Sequence, residues 1–175
     1  MKKNAVFLNF AAQSPIIELH LSLADKIQKE NGNKTVFYVC DSALKSCSIN
    51  VNHAKNICKL CKFRALNAIE LAKSNNLDLE TKFITKDDLN NQKRPINNSI
   101  SDNVELGVRS SIASHIRTDE LDMMNDIWKV FYNRMLDSSF GLFNYFVKEF
   151  KTNSIESISL FNGRFSCSRP VVEAS

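Results

Sequence analysis

The chain has 175 residues, 43% hydrophobic and 24% charged, which suits one globular domain with its own core and excludes disordered and fibrous classes. Twenty-three Lys and Arg against nineteen Asp and Glu leave a formal charge of +4; it is scattered along the chain and by itself points to neither a polyanion nor a membrane. Gly32, Gly107, Gly141 and Gly163 are the only glycines, too widely spaced for a G-x-G-x-x-G or Walker phosphate loop.

Residues 4–10, Asn-Ala-Val-Phe-Leu-Asn-Phe, are an apolar run of strand length. Met1-Lys2-Lys3 gives this start the look of a secretory leader, but Asn9 interrupts the run and Gln13-Ser14-Pro15 leads into a helical pattern, so it is read as a first strand. Ser14-Pro15 predicts an N-cap with proline at the first helical position. Ile16, Leu19, Leu23 and Ile27 then recur at helical steps, and Asn31-Gly32-Asn33 ends the helix. Residues 34–40, Lys-Thr-Val-Phe-Tyr-Val-Cys, predict a second strand. Strand, helix, strand is a parallel crossover unit, so the expected class is α/β: a single Rossmann-like domain over residues 1–175, a mostly parallel sheet flanked by helices.

Residues 41–61 have little periodicity and form a cysteine-rich loop after the second strand, before helical spacing over Lys62 to Ser74 through Leu66, Ile69 and Leu71. Thr81 to Thr85 predicts a third strand, and the asparagine-rich Lys86 to Ser101 a polar excursion. Segment 102–117 reads as helix, and Asp119 to Phe150 as a longer helical region kinked or divided near Ser138-Ser139-Phe140-Gly141. Trp128, Phe131, Met135, Leu142, Phe146 and Phe150 share one of its faces, as core or a domain interface and not as a cofactor box. Residues 155–162 predict a last strand, and Val171 to Ser175 the start of a further helix. No stretch reaches the ~18 uninterrupted apolar residues of a spanning helix, so no transmembrane segment is expected and the expected location is cytoplasmic.

Five cysteines, four of them between positions 40 and 61, fit metal binding in a reducing compartment better than a disulfide framework. Cys58-x2-Cys61 has the spacing that turns two thiolates toward one ion, and Cys40 and Cys47 complete an all-sulfur structural zinc shell. His53 competes for one of those four places, and an iron–sulfur cluster accepts the same cysteines. A second constellation is Phe161-Asn162-Gly163-Arg164 with Arg169. Gly163 permits a sharp strand exit, Asn162 donates and accepts, and two guanidiniums grip phosphate, carboxylate or sugar hydroxyls. In an open parallel sheet ligands gather beyond the carboxyl ends of strands, which would bring the Asn9 turn, the Cys40 segment and this turn to one edge. The third is Gly107 to Thr118, where Arg109, Arg117 and the hydroxyls offer polar recognition and His115 a general base without an identified carboxylate partner; His20 is less promising.

These residues, in this order, resemble the N-terminal half of bacterial capsule and surface-polysaccharide glycosyltransferases, which are similar to two-domain GT-B enzymes. The likeness rests on Leu106-Gly107-Val-Arg-Ser-Ser-Ile112, the aromatic helix from Trp128 and Leu160-Phe-Asn-Gly-Arg164 with Arg169. It implies an acceptor-side domain whose Asn162, Gly163, Arg164 and Arg169 face an interdomain cleft, with a nucleotide-sugar as co-substrate and a glycan as acceptor. It implies no catalytic residue by number. The donor-binding domain has no room in 175 residues, so the expectation is a truncated frame or a separately encoded C-terminal partner, working in the cytoplasm or at the inner face of the membrane. The rival expectation is a zinc-containing module for nucleic acid or a protein; against nucleic acid, the basic residues are not gathered on one element.

Overall fold

The computed structural model describes residues 3–11, 13–118 and 125–175. Strands β1 (Lys3–Phe7), β2 (Lys34–Cys40), β3 (Leu79–Ile84) and β4 (Ile155–Leu160) are parallel throughout and lie in the order β3-β2-β1-β4. The fold is the expected α/β class, with helices α1 (Ile16–Asn31), α2 (Lys55–Ser74), α3 (Asn98–Ile116), α4 (Asp126–Thr152) and α5 (Arg169–Ala174), plus one 3₁₀ turn at Asp87–Leu89. Among the described residues no helix is long and apolar enough to cross a membrane.

Side chains alternate across a strand, and that alternation divides the core into two layers. Ala5, Phe7, Val36, Tyr38 and Ile84 meet Leu142 and Phe146 of α4. Val6, Leu8, Phe37 and Val39 meet Ala24 of α1 and Ala65, Ala68 and Ile69 of α2. Because β1 and β2 are buried on both faces, they read as unbroken apolar runs. A third cluster joins Val108 and Ile112 of α3 to Tyr132 and Met135 of α4 and to Val51.

Several expected boundaries and faces differ. Helix α1 starts at Ile16, with Pro15 as its cap residue and no side-chain cap. Its inward residues are Ile16, Ile17, His20 and Ala24, whereas Leu19 and Leu23 are 60% and 42% exposed. Both stripes have helical spacing, and the small Ala24 lets α1 sit close to the sheet. Gly32 does end the helix, left-handed at φ 66°, its N–H donating to Gln28 O. Helix α2 begins at Lys55 instead of residue 62, so Cys58 and Cys61 lie in its first two turns rather than in a loop. Asn50 organises that start: its Oδ1 accepts from Ala54 N at 2.7 Å, and its Nδ2 donates to Ala54 O at 2.9 Å.

Helix α4 runs unbroken through Ser138-Ser139-Phe140-Gly141. Both serine hydroxyls donate to carbonyls four residues back, Arg134 O at 2.9 Å and Met135 O at 2.8 Å, so they stay within the helix. Gly141 is a close approach and not a break, since a Cβ there would lie 3.0 Å from Leu89 O. Residues 119–124 of the expected helical region fall outside the described residues. At 1.5 Å per residue α4 is about 40 Å long, roughly twice the span of the strands. Its second half covers the sheet, and its first half passes the carboxyl edge, where α3 packs against it.

Candidate functional site

The strand order fixes where a site can form. The chain moves outward from β1 to β2 to β3, then returns to place β4 on the other side of β1. The order reverses between β1 and β4, and ligands of open parallel sheets bind outside the carboxyl ends at such a point. The segments after β1, β2 and β4 meet there, so the Asn9 turn, the cysteine segment and the Asn162–Arg164 turn do share one edge.

Asn9 is 5% exposed and serves the fold. Its Nδ2 donates to Phe161 O at 2.6 Å and its Oδ1 accepts from Phe161 N at 2.9 Å. The amide thus imitates one more residue of β-ladder beyond Phe7 and clamps β4 to β1 just before the Asn-Gly-Arg turn.

In that turn the left-handed residue is Asn162, at φ 48°, and not Gly163. Asparagine tolerates this conformation because its short amide bonds locally; here Oδ1 faces Arg164 N at 3.4 Å. Gly163 owes its smallness to a neighbour, since a Cβ there would lie 3.2 Å from Val172 Cγ2. Arg164 is exposed, with its guanidinium 4.7 Å from the centroid of the Phe165 ring and Nη2 3.5 Å from Ser114 Oγ. Arg169 opens α5, its Nε 2.8 Å from Glu173 Oε1 and its stem lying against Gly107.

Ser111, one of the hydroxyls expected to offer polar recognition, instead joins hydroxyls distant in sequence to hold this segment in place. Ser111 Oγ accepts from Ser166 N at 2.8 Å and donates to Gly107 O at 3.0 Å. Ser139 Oγ approaches Ser166 O at 2.8 Å, and Ser48 Oγ lies 3.1 Å from both Ser111 and Ser166 Oγ. Ser111, Ser139 and Ser166 are all buried. The Gly107 to Thr118 segment is therefore packed, on this side, as a support for the Phe165–Arg169 chain. Arg109 lies 5.9 Å from the Tyr132 ring centroid, Arg117 is the left-handed cap of α3, and His115 is exposed.

The cysteines gather around a small cavity at the same edge. Cys40, Cys47, Cys58 and Cys61 all line it, together with His53, Asn9 and the fifth cysteine, Cys167, which lies far away in sequence. Burial pushes the Cys40, Cys47 and Cys167 thiols above their ordinary range, which keeps them protonated. Cys58 Sγ lies 3.2 Å from Asn50 Nδ2 and Cys167 Sγ 3.4 Å from Ser48 Oγ. Among the described residues no three His, Cys, Asp or Glu side chains are placed as a metal-holding group. The cavity collects the predicted zinc ligands without arranging them as a coordination shell.

His20 is buried in α1, where burial lowers its pKa and its Nε2 has no hydrogen-bond partner; it faces the core and not the edge. Comparison with known proteins identifies no relative: no family model, curated protein or solved structure matches the chain.

Proposed function

We propose that this chain is the acceptor-side domain of a nucleotide-sugar-dependent glycosyltransferase of surface-polysaccharide synthesis. One observation carries the reading: the Phe161–Arg164 turn is clamped by Asn9 beside the end of β1, where the strand order reverses. A polar turn at that place, held by a buried amide and a cluster of hydroxyls, is positioned for a ligand and not needed by the core.

In this reading Asn162 offers its amide to sugar hydroxyls, and Arg164, laid over the Phe165 ring, offers a guanidinium edge to a charged or hydroxylated group. In the complete reaction an acceptor hydroxyl displaces the nucleoside diphosphate from the anomeric carbon, and its proton passes to a base. Orientation of the acceptor is the contribution assigned to this domain; the donor nucleotide falls to a second Rossmann-like domain. No base is assigned, because His115 is exposed without a carboxylate partner among the described residues and His20 is buried away from the edge. The cytoplasm, or the inner membrane face, is the location proposed with it.

Saturation-transfer NMR with a panel of surface-polysaccharide oligosaccharides and nucleotide-sugars tests the reading. A glycan should bind, and Arg164→Ala should weaken it at least tenfold while leaving the thermal midpoint nearly unchanged. Absence of any glycan binding, or micromolar binding of a nucleotide-sugar by this chain alone, would overturn the acceptor-side assignment.

A further inference from the structure

A second cavity at the carboxyl edge lies away from the Asn162–Arg164 turn. It is an open groove of about 540 Å³ between the segment after β2, the 3₁₀ turn after β3 and the overhanging first half of α4. Lys45, Lys86 and Arg134 line it with His53, three side-chain amides (Asn52, Asn90 and Gln92) and Ser138, over a floor of Ala43 and Leu89. No carboxylate is among the lining residues.

The groove is built and not merely left open. Lys45 N donates to Ser138 Oγ at 2.9 Å, while Lys45 Nζ reaches Asp137 Oδ2 at 2.7 Å and Gln92 Oε1 at 3.0 Å. These bonds tie the loop, the 3₁₀ region and α4 to one another across the groove. Leu89 is buried, pressed onto the backbone of α4 at Gly141.

The nearby carboxylates are committed elsewhere. Asp137 holds Lys45, Asp41 holds Lys62 at 2.6 Å, and Asp88 accepts from Thr85 N and Oγ1. Asp87 and Asp88 face a separate groove that Glu149 also lines. Lys86 and Arg134 are exposed and have no ionic partner among the described residues. Two unspent cations and three amides around one concavity match a group with several acceptor oxygens and more than one negative charge.

We propose that this groove binds a phosphoryl group, with Arg134 and Lys86 as its charged grips and Asn52, Asn90 and Gln92 as neutral donors. The site goes beyond the glycosyltransferase reading, since it needs only the groove's own chemistry. Two ligand sources share that chemistry, a sugar phosphate and a nucleoside diphosphate.

The test uses backbone amide NMR of the full chain at low ionic strength, titrated with inorganic pyrophosphate. Shifts are expected at Lys45, Asn52, His53, Asn90 and Gln92, with the Asn162–Arg164 turn silent. Arg134→Gln and Lys86→Gln should each weaken binding at least tenfold, and Arg164→Gln should leave it unchanged. Both groove positions are exposed, so the variants retain the fold, which the same spectra verify. Parallel titrations with a sugar 1-phosphate and a nucleoside diphosphate identify the source as whichever binds more tightly than pyrophosphate. Tight nucleoside diphosphate binding here would uphold the groove while removing the acceptor-side assignment; glycan binding with a silent groove would do the reverse. No shift at millimolar pyrophosphate, shifts confined to residues 162–169, or unaltered binding in both groove variants would overturn the proposal.

Discussion

Replacing Gly107 with alanine sets two effects of known sign against each other. Gly107 lies inside α3, where alanine is favoured over glycine by about 1 kcal/mol on helix propensity alone. The added methyl, however, would stand 2.8 Å from Arg169 Cβ and 3.3 Å from both Arg169 Cγ and Phe165 O. A Cβ cannot swing aside as a side-chain tip can, and its backbone is held by Arg169 N donating to Phe165 O at 2.7 Å and Ser168 Oγ donating to Asn162 O at 2.5 Å. Relief therefore requires the whole 165–169 segment to move. Overpacking of this kind costs roughly 1–3 kcal/mol, so the net effect is destabilisation of up to about 2 kcal/mol. For a chain of this length each kcal/mol lowers the midpoint by roughly 2–4 °C. Thermal and urea unfolding of Gly107→Ala should show that loss, and NMR shifts should concentrate at Phe165 to Arg169. In an Arg169→Gly background the same alanine should cost nothing or stabilise, because its nearest obstacle is gone. A raised midpoint in the single variant would mean that propensity wins and that the seam between α3 and α5 has slack, which would refute the packing argument.

Asn9→Asp should destabilise by about 1–3 kcal/mol, because it sets a carboxylate oxygen where Nδ2 now donates to Phe161 O at 2.6 Å; denaturant titration should show the loss shrinking in acid, as the protonated acid donates again. His20, with its pKa held below the ordinary 6.5 by burial, binds its proton less readily folded than unfolded, so it contributes stability above that pH that is lost as pH falls through the folded value. Unfolding measured from pH 8 to pH 4 should show that acid limb, and His20→Leu should flatten it; an unchanged profile refutes the assignment. Although Cys40, Cys47, Cys58 and Cys61 are not preplaced as a coordination shell, we propose from their spacing that they rearrange to take up about one zinc per chain after reducing, chelator-free purification. Uptake would turn the side chains inward and release the protons that burial holds on Cys40 and Cys47. Metal analysis and zinc titration that both find none remove the expectation.

The fold class was legible because the decisive signals were local. Residues 34–40 are β-branched and aromatic between a left-handed glycine and the cysteine segment, and β2 occupies that span without adjustment. What escaped depended on partners distant in sequence. The buried stripe of α1 was decided by the close approach of alanines on α1 and α2, and two apolar stripes in α1 had equal periodicity. The first turns of α2 carry cysteines directed at a cavity, so they lack the apolar repeat that marks a helix. In the candidate site, the edge that unites residues 9, 40 and 162 followed from crossover topology. The clamping role of the Asn9 amide depends on Phe161, a partner far away in sequence, and Cys167 had no local signal tying it to the other cysteines.

The central position of β1 also sets the order in which the chain completes itself during synthesis. Residues 3–84 contain everything needed for the β3-β2-β1 half of the sheet with α1 and α2 on one face. The other edge of β1 must wait for β4, and the face bearing Phe7, Tyr38 and Ile84 must wait for Leu142 and Phe146. About seventy residues separate β3 from β4, so at ribosomal rates of 5–20 residues per second the nascent half-sheet stands uncovered for roughly 4–15 s. Throughout that interval it presents an unpaired strand edge beside an apolar surface, the combination that invites pairing with a neighbouring chain. The last strand to be made is thus the one that pairs the apolar edge of β1, leaving β3 and β4 as the edges of the finished sheet.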